Sequence, residues 1–272
     1  MTAPGPKNRR VLVTGATGRV GFPVARRLAA EGHEVFGMAR CRGEGDRRRL
    51  ADAGITPVVG DIASMDFGDL PEAVTHVFHA AARFGREADA GRRRAFETNA
   101  QAPGRLVAAR PGAAFVYCSS GSAYAYQGRR ALSEDDPLGV HLGTGSLSKI
   151  AGEEVVRFAA RQCASPLTII RIFSTYGPEG GAPVTRLRRI LDGEDIVLHP
   201  DAPNNYNPIF EDDYVRLAIR ALDVAAVDPV VVNFAGSETV SAEEYCELLG
   251  RLVNRPVRTR YDDDAPGRCG PM

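Results

Sequence analysis

The stretch "VLVTGATGRVG", residues 11–21, decides how the rest of the chain is read. Val11–Thr14 is a short apolar and β-branched run, and Gly15, Gly18 and Gly21 follow at three-residue spacing before a helix-like segment. Glycines so placed let the backbone turn tightly from strand to helix and come close to a pyrophosphate, whose charge then rests against the positive helix end. The pattern carries weight only between a strand and a helix, and both are predicted here.

Outward from that turn, apolar runs alternate with helix-like segments. The pattern predicts strands at 11–14, 34–39, 56–60, 75–80, 114–119 and 167–172, with helices near 19–31, 45–53, 92–110 and 146–163. Such alternation reads as βαβ units around a parallel sheet covered on both faces, an α/β, doubly wound, Rossmann-like domain. After "RIFSTYGPEGGAP" (171–183) Gly and Pro clusters shorten the elements. A helix near 183–192 leads into "GEDIVLHPDAPNNYNPIF" (193–210), read as mostly loop. An amphipathic helix at 211–222, a strand at 230–235 and a helix opened by the capping box of Ser241 and Glu244 follow. The expected division is a flexible lead over 1–10, a dinucleotide-binding domain over 11–175, and a smaller substrate-binding lobe over 176–272, some of whose elements return to the sheet.

With 272 residues, 44% of them hydrophobic, and a formal net charge of zero, the chain has core enough for this plan and no bulk attraction to nucleic acid or an anionic membrane. The arginine runs "DRRRL" (46–50) and "GRRRAF" (91–96) read as solvated helix faces. Cys41, Cys118, Cys163, Cys246 and Cys269 are too scattered for a metal or redox motif, so no metal is expected and the thiols read as free, in a reducing cytoplasm. No signal peptide is read, and no uncharged apolar run approaches the roughly 18 residues that would span a bilayer.

The chain resembles the short-chain dehydrogenase/reductase superfamily, and within it the extended branch, the NAD-dependent epimerase/dehydratase family. The resemblance runs from residue 11 to about 265. It is carried in order by "VTGATGRVG" (13–21), "GDI" (60–62), "HVFHAAA" (76–82), "TNAQAPGRL" (98–106), "VYCSSGSAY" (116–124), "SKIAGEE" (148–154) and "RIFSTYGPEG" (171–180). It implies that Gly15, Thr17, Gly18, Arg19, Val20 and Gly21 hold the cofactor phosphates and that Asp61 and Ile62 lie beside adenine. It runs Ala80, Ala81 and Ala82 along the dinucleotide, and puts Ile172 and Asn99 in the cofactor set, Asn99 as a structural or water-holding polar residue of the central helix. His79 reads as packing below the cofactor loop. Where NAD-dependent members carry an Asp at the end of the second strand this chain has Ala39, with Arg40 next and Arg42 nearby. An arginine there can pair with a 2′-phosphate, so NADP is expected, with NAD as the alternative.

Of 34 lysines and arginines only Lys7 and Lys149 are lysine. The family motif is Tyr-x-x-x-Lys after the fifth strand, with a Ser or Thr at that strand's end. Lys149 matches the lysine, which would hold the nicotinamide ribose and lower the tyrosine pKa, and Ser120 matches the hydroxyl. The tyrosine position holds Gly145. Replacement acids are sought among Tyr124, Tyr126, Tyr176, Ser122 and His141, and the catalytic set is taken as Ser120, Lys149 and Tyr124, although Tyr124 and Tyr176 belong to family motifs in which they serve packing or loop shape. Ser122, Ser174 and Tyr206 are assigned to substrate.

Two departures from the family narrow the chemistry. Gly121 and Ser122 stand where sugar-nucleotide 4,6-dehydratases carry an Asp-Glu pair, which disfavours water elimination. Tyr206 stands where nucleotide-sugar binders carry an arginine, which predicts a less anionic substrate, such as a natural-product or sugar-derived intermediate. The family also continues beyond "YDDDAPGRCGPM", so the lobe reads as abbreviated or the sequence as trimmed. The first expectation is thus an NAD(P)-dependent oxidoreductase or epimerase acting on a small hydroxyl or carbonyl compound with an atypical proton donor. Alternatives are a non-redox isomerase, cyclase or lyase on the same scaffold, and a dinucleotide-binding sensor without catalysis. A homodimer is expected through the helices near 92–110 and 146–163.

Overall fold

The computed structural model describes residues 8–128, 130–139, 143–263 and 265. The chain opens with β1 (Arg10–Thr14), α1 (Gly21–Ala30), β2 (Glu34–Ala39), α2 (Glu44–Asp52), β3 (Thr56–Val59) and β4 (His76–His79). Next come α3 (Arg86–Ala90), α4 (Arg92–Phe96), α5 (Ala102–Ala109), β5 (Ala114–Ser120), α6 (Gly143–Gln162) and β6 (Leu167–Ile172). The remainder is β7 (Ser174–Tyr176), α7 (Ala182–Asp192), β8 (Ile196–Leu198), β9 (Asn205–Tyr206), β10 (Pro208–Phe210), α8 (Glu211–Asp223), β11 (Val230–Phe234), β12 (Val240–Ser241), α9 (Ala242–Leu252) and β13 (Thr259–Tyr261).

Seven parallel strands form one sheet in the order β11-β6-β5-β4-β1-β2-β3. Strand alternation sends side chains to opposite faces, and β1 shows the result. Val11 and Val13 enter a core with α1 and α8, through Val24, Leu28, Tyr214 and Val215, while Leu12 enters a second core with α5 and α6, through Leu106, Val107, Val156 and Ala160. Coverage on both faces is why these strands read as continuous apolar runs. The order reverses between β1 and β4, and their carboxyl ends leave a crevice between diverging loops.

The predicted strands form where expected, two with the expected bounds (34–39 and 167–172). The helix expected over 92–110 forms as α4 and α5 joined without interruption by a wide π turn over Glu97–Gln101, and α3 precedes it. The segment 193–210, read as mostly loop, contains β8, β9 and β10, each two or three residues long. These pair with β13, β12 and β7, the pairs β8/β13 and β7/β10 being parallel and β9/β12 antiparallel. They accompany a third, small core of Ile190, Ile196, Leu198, Ala242 and Cys246. The expected capping box is formed, Glu244 N–H donating to Ser241 Oγ and Ser241 N–H to Glu244 Oε2.

Gly152 sets how closely α6 approaches the sheet. A Cβ there would lie 2.0 Å from Tyr117 Oη and 2.3 Å from Asn99 O, and those two atoms hydrogen-bond each other at 2.7 Å. Neither can retreat without breaking that buried bond, so Gly152→Ala is expected to cost at least about 3 kcal/mol, the upper end for overpacking, read as a lowered midpoint in urea unfolding. An unchanged midpoint would mean that α6 can slide on β5.

Candidate active site

The glycine turn builds one side of the crevice. Gly15 has φ +69°, and a Cβ on it would lie 2.8 Å from Ala81 N, so the turn after β1 and the loop after β4 touch backbone to backbone. Gly18 N–H donates to Gly15 O at 2.9 Å, and Tyr214 Oη donates to Arg19 O at 2.8 Å, tying the turn to α8. The first turn of α1 carries no acid, which leaves its positive end open to an anion.

A cavity of about 200 Å³ begins at this turn and is lined by Thr14, Gly15, Thr17, Gly18, Arg40, Asp61, Ile62 and Ala80–Ala82 among others. Arg40 is exposed at the end of β2. Asp61 accepts from Ala63 N–H at 3.1 Å and from Arg94 at 2.8 Å. Burial alone would raise its pKa, but these two donors together pull it below the ordinary aspartate value, so it stays ionised. A tight glycine cradle, an open helix end, a carboxylate and an arginine are groups that fit a dinucleotide.

A second cavity, of about 330 Å³, shares Ala80 and Ala82 with the first. Its other lining residues are Arg19, Val20, Phe84, Cys118, Ser119, Ser120, Ser122, Lys149, Ile172 and Phe173. Lys149 reaches it from α6, only 1% exposed, and donates to Cys118 O at 2.7 Å. Its Nζ lies 4.7 Å from the Tyr117 ring centroid and 6.0 Å from that of Phe84. Burial lowers its pKa to about 8, against the pull of Glu153 and Cys118 in the other direction.

Gly145 is buried one helical turn before Lys149, and a Cβ there would meet Phe84 Cδ1 at 2.9 Å. The space over Gly145 thus holds the Phe84 ring, delivered by the loop after β4. No feature of "AARFGRE" (81–87) announced this, because a lone aromatic in a loop has no periodicity to read.

Several expected site residues lie outside both cavity linings, Tyr124, Asn99, Ser174 and Tyr206 among them. Tyr124 is not in the lining: its hydroxyl accepts from Arg171 at 2.8 Å and donates to Asn233 at 2.6 Å, and burial raises its pKa. Arg171 in turn pairs with the fully buried Glu153, and Ser119 Oγ donates to the same carboxylate at 2.5 Å. Asn99 is also outside both cavities, its side chain bonded to Arg83 N–H, Arg83 O and Ser148 Oγ, so it shapes the loop after β4. Ser174 and Tyr206 line neither cavity, although Ser174 lies on β7, just past the Ile172 and Phe173 that do.

Of the other acids considered, Tyr126 is 55% exposed, Tyr176 packs edge-on against Phe210, and His141 lies outside the described residues. Ser120 and Ser122 are in the lining, their hydroxyls 2.8 Å apart, and Ser122 is 2.8 Å from Ser146. His79 is fully buried below Thr14, which lies 2.9 Å from its Nδ1, and stacks on Phe115 and Tyr117; burial first, then Lys149, hold it neutral.

The family model for the NAD dependent epimerase/dehydratase family matches residues 11–235. The chain belongs to this family. Its relatives include the dTDP-4-dehydro-6-deoxy-D-allose reductase of Streptomyces bikiniensis, 28% identical over 98% of this chain and 87% of that one. UDP-glucuronate 4-epimerase 2 of Arabidopsis thaliana is 31% identical over 89% of this chain and 64% of its own length. Among solved structures, MoeE5 in complex with UDP-glucose and NAD superposes with a TM-score of 0.81 at 26% identity, covering 94% of this chain and 86% of that one. The UDP-N-acetylglucosamine 4-epimerase of Methanobrevibacter ruminantium M1 shares the fold at a TM-score of 0.85 and 19% identity, covering 98% and 89%. The chain is therefore an NAD-dependent epimerase/dehydratase-family enzyme, and no described helix is long and apolar enough to cross a membrane.

Phe84 and Gly145 fit as a pair, so their substitutions are expected to couple. Gly145→Tyr alone should destabilise, while the same change in a Phe84→Ala background should be tolerated, with a coupling of about 1 kcal/mol or more across the four unfolding curves. Additive effects would show that Phe84 does not occupy the space over residue 145.

Proposed function

We propose that the chain is an NADP(H)-dependent reductase or epimerase of a sugar carbinol or carbonyl carbon, the sugar being carried on a nucleoside diphosphate. The observation that carries this reading is the adjacency of the two cavities, which share Ala80 and Ala82, with Arg40 and Asp61 lining one and Ser120 and Lys149 the other. When bound there, the nicotinamide dinucleotide supplies hydride transfer. Gly15, Gly18 and the α1 end would hold its phosphates, Lys149 its ribose side, and Ser120 with Ser122 would hold the substrate oxygen.

Nucleotide sugar is preferred to a less anionic substrate because of Arg186. Its Nη2 donates to Tyr206 Oη at 2.9 Å, and the guanidinium lies 4.9 Å from the Tyr206 ring centroid and 5.3 Å from that of Tyr245. A charged group thus stands in the lobe, outside both cavity linings, beside the residue whose neutrality argued against a pyrophosphate, and the relatives' nucleotide-linked substrates agree with it. Residues 176–272 would then serve as the substrate lobe. Arg40 favours NADP, although structural neighbours hold NAD. Phe158, 67% exposed on α6, supports the expected homodimer, and the unpaired thiols of Cys41, Cys118, Cys163 and Cys246 support a reducing, cytoplasmic setting. A non-redox reaction is favoured only by Gly145, and the same assay separates the two.

Calorimetry of the purified protein with NADPH and NADH, followed by reduction of a dTDP-4-keto-6-deoxyhexose at 340 nm, tests the reading. NADPH should bind at least about tenfold more tightly than NADH, an advantage of about 1.4 kcal/mol that Arg40→Ala removes. Binding of neither dinucleotide would overturn the proposal, and equal affinities that Arg40→Ala leaves equal would return the cofactor to NAD.

A further inference from the structure

Any carbonyl reduction in this site requires a proton at the substrate oxygen as hydride reaches its carbon, and Gly145 has none to give. The cavity lining itself restricts the source. Arg19 contributes a guanidinium, a group that serves as a hydrogen-bond donor and not as a proton source. Cys118 is buried, with its thiol pushed up to about 12. Ser119 is committed to Glu153, and Ser120 and Ser122 bond each other and Ser146. Serine hydroxyls can pass a proton along but do not store one at neutral pH. Among the described residues of the lining Lys149 is left: one of its three N–H bonds goes to Cys118 O, and the other two have no acceptor among those residues.

Resting on the dinucleotide-dependent reading above, we propose that Lys149 itself gives and takes the proton at the substrate oxygen, in place of the side chain absent at Gly145. In reduction, an N–H bond of the ammonium breaks and an O–H bond forms on the substrate, while the carbonyl carbon gains hydride from the reduced nicotinamide. The substrate is reduced, the nicotinamide is oxidised, and the neutral amine recovers its proton from water. Oxidation runs the same exchange backwards, with the neutral amine as base.

The surroundings suit the task. Glu153 on α6 and Cys118 on β5 draw the lysine toward its charged form, while burial opposes them more strongly. Glu153 is itself neutralised by Arg171 of β6. His79 of β4 is neutral, the Tyr117 hydroxyl is held on Asn99 O, and Arg19 faces the cavity from the glycine turn. Titration of Lys149 near pH 8 follows, so reduction should fall as pH rises through that value and oxidation should rise.

With only two lysines in the chain, ¹⁵N-lysine labelling gives two side-chain signals, and Lys7→Arg assigns them. The Lys149 signal should titrate near 8 without substrate present, and the kcat/KM profile for reduction should break at the same pH. Lys149→Ala at saturating reduced dinucleotide should lose about 10³-fold in rate, and exogenous primary amines should restore part of it with a break that moves to each amine's own pKa. A lysine that merely holds ribose would show no amine-dependent break once cofactor saturates. A Lys149 signal still charged above pH 10, or a break that persists in Lys149→Ala and vanishes in His141→Gln, would overturn the proposal. Calorimetry keeps the two failures apart: loss of dinucleotide binding in the unsubstituted protein refutes the cofactor reading, whereas binding with an unmoved pH profile refutes only the role of Lys149.

Discussion

The contact of Gly15 with the Ala80–Ala81 backbone is the constraint from which the site follows. A Cβ on Gly15 would come within 2.9 Å of three atoms of that segment, so the turn after β1 and the loop after β4 cannot separate or trade residues freely. Because β1 and β4 flank the reversal of strand order, fixing their exits against each other fixes the crevice of the sheet. Thr14 completes the joint by accepting Ala81 N–H at 3.2 Å while its hydroxyl lies against His79. A neutral, fully buried histidine there is best understood as part of this joint.

The second constraint is one face of α6. Gly145, Lys149, Gly152, Glu153 and Val156 recur at three- and four-residue intervals, so they share the side turned to the sheet. Gly152 permits the close approach, Lys149 uses it to reach Cys118 O, and Glu153 anchors Arg171 and Ser119. The wide turn over Glu97–Gln101 belongs to the same arrangement, because Asn99 O accepts from Tyr117 Oη below Gly152. Helix position, cavity shape and lysine burial are consequently one packing problem.

How far the sequence revealed this depends on range. Strands β1 to β6 were legible because two-sided burial writes apolar runs, and the first glycine turn because backbone proximity admits only glycine. The short strands of the lobe were not, since two or three residues carry no period. Tyr124 was legible only as far as its motif, for a similar reason. Its motif locates it after β5, but its role is set by Arg171 and Asn233, 47 and 109 residues away. Arg186 was hidden among the many arginines of the chain, and only its contact with Tyr206 distinguishes it.

Keeping an ammonium at 1% exposure is costly, and in a purely structural place an apolar side chain of similar length would serve stability at least as well. Arginine, the residue this chain otherwise prefers, would keep its charge at every accessible pH and would demand room for a planar fork. Of lysine and arginine, only lysine can be brought by burial to the point where charged and neutral forms coexist near neutrality. The Phe84 ring stands over Gly145, its centroid 6.0 Å from the ammonium. The loss at residue 145 and the lysine at residue 149 are therefore physically linked: with no phenol in front of it, the ammonium faces the cavity directly, in surroundings that let it part with a proton.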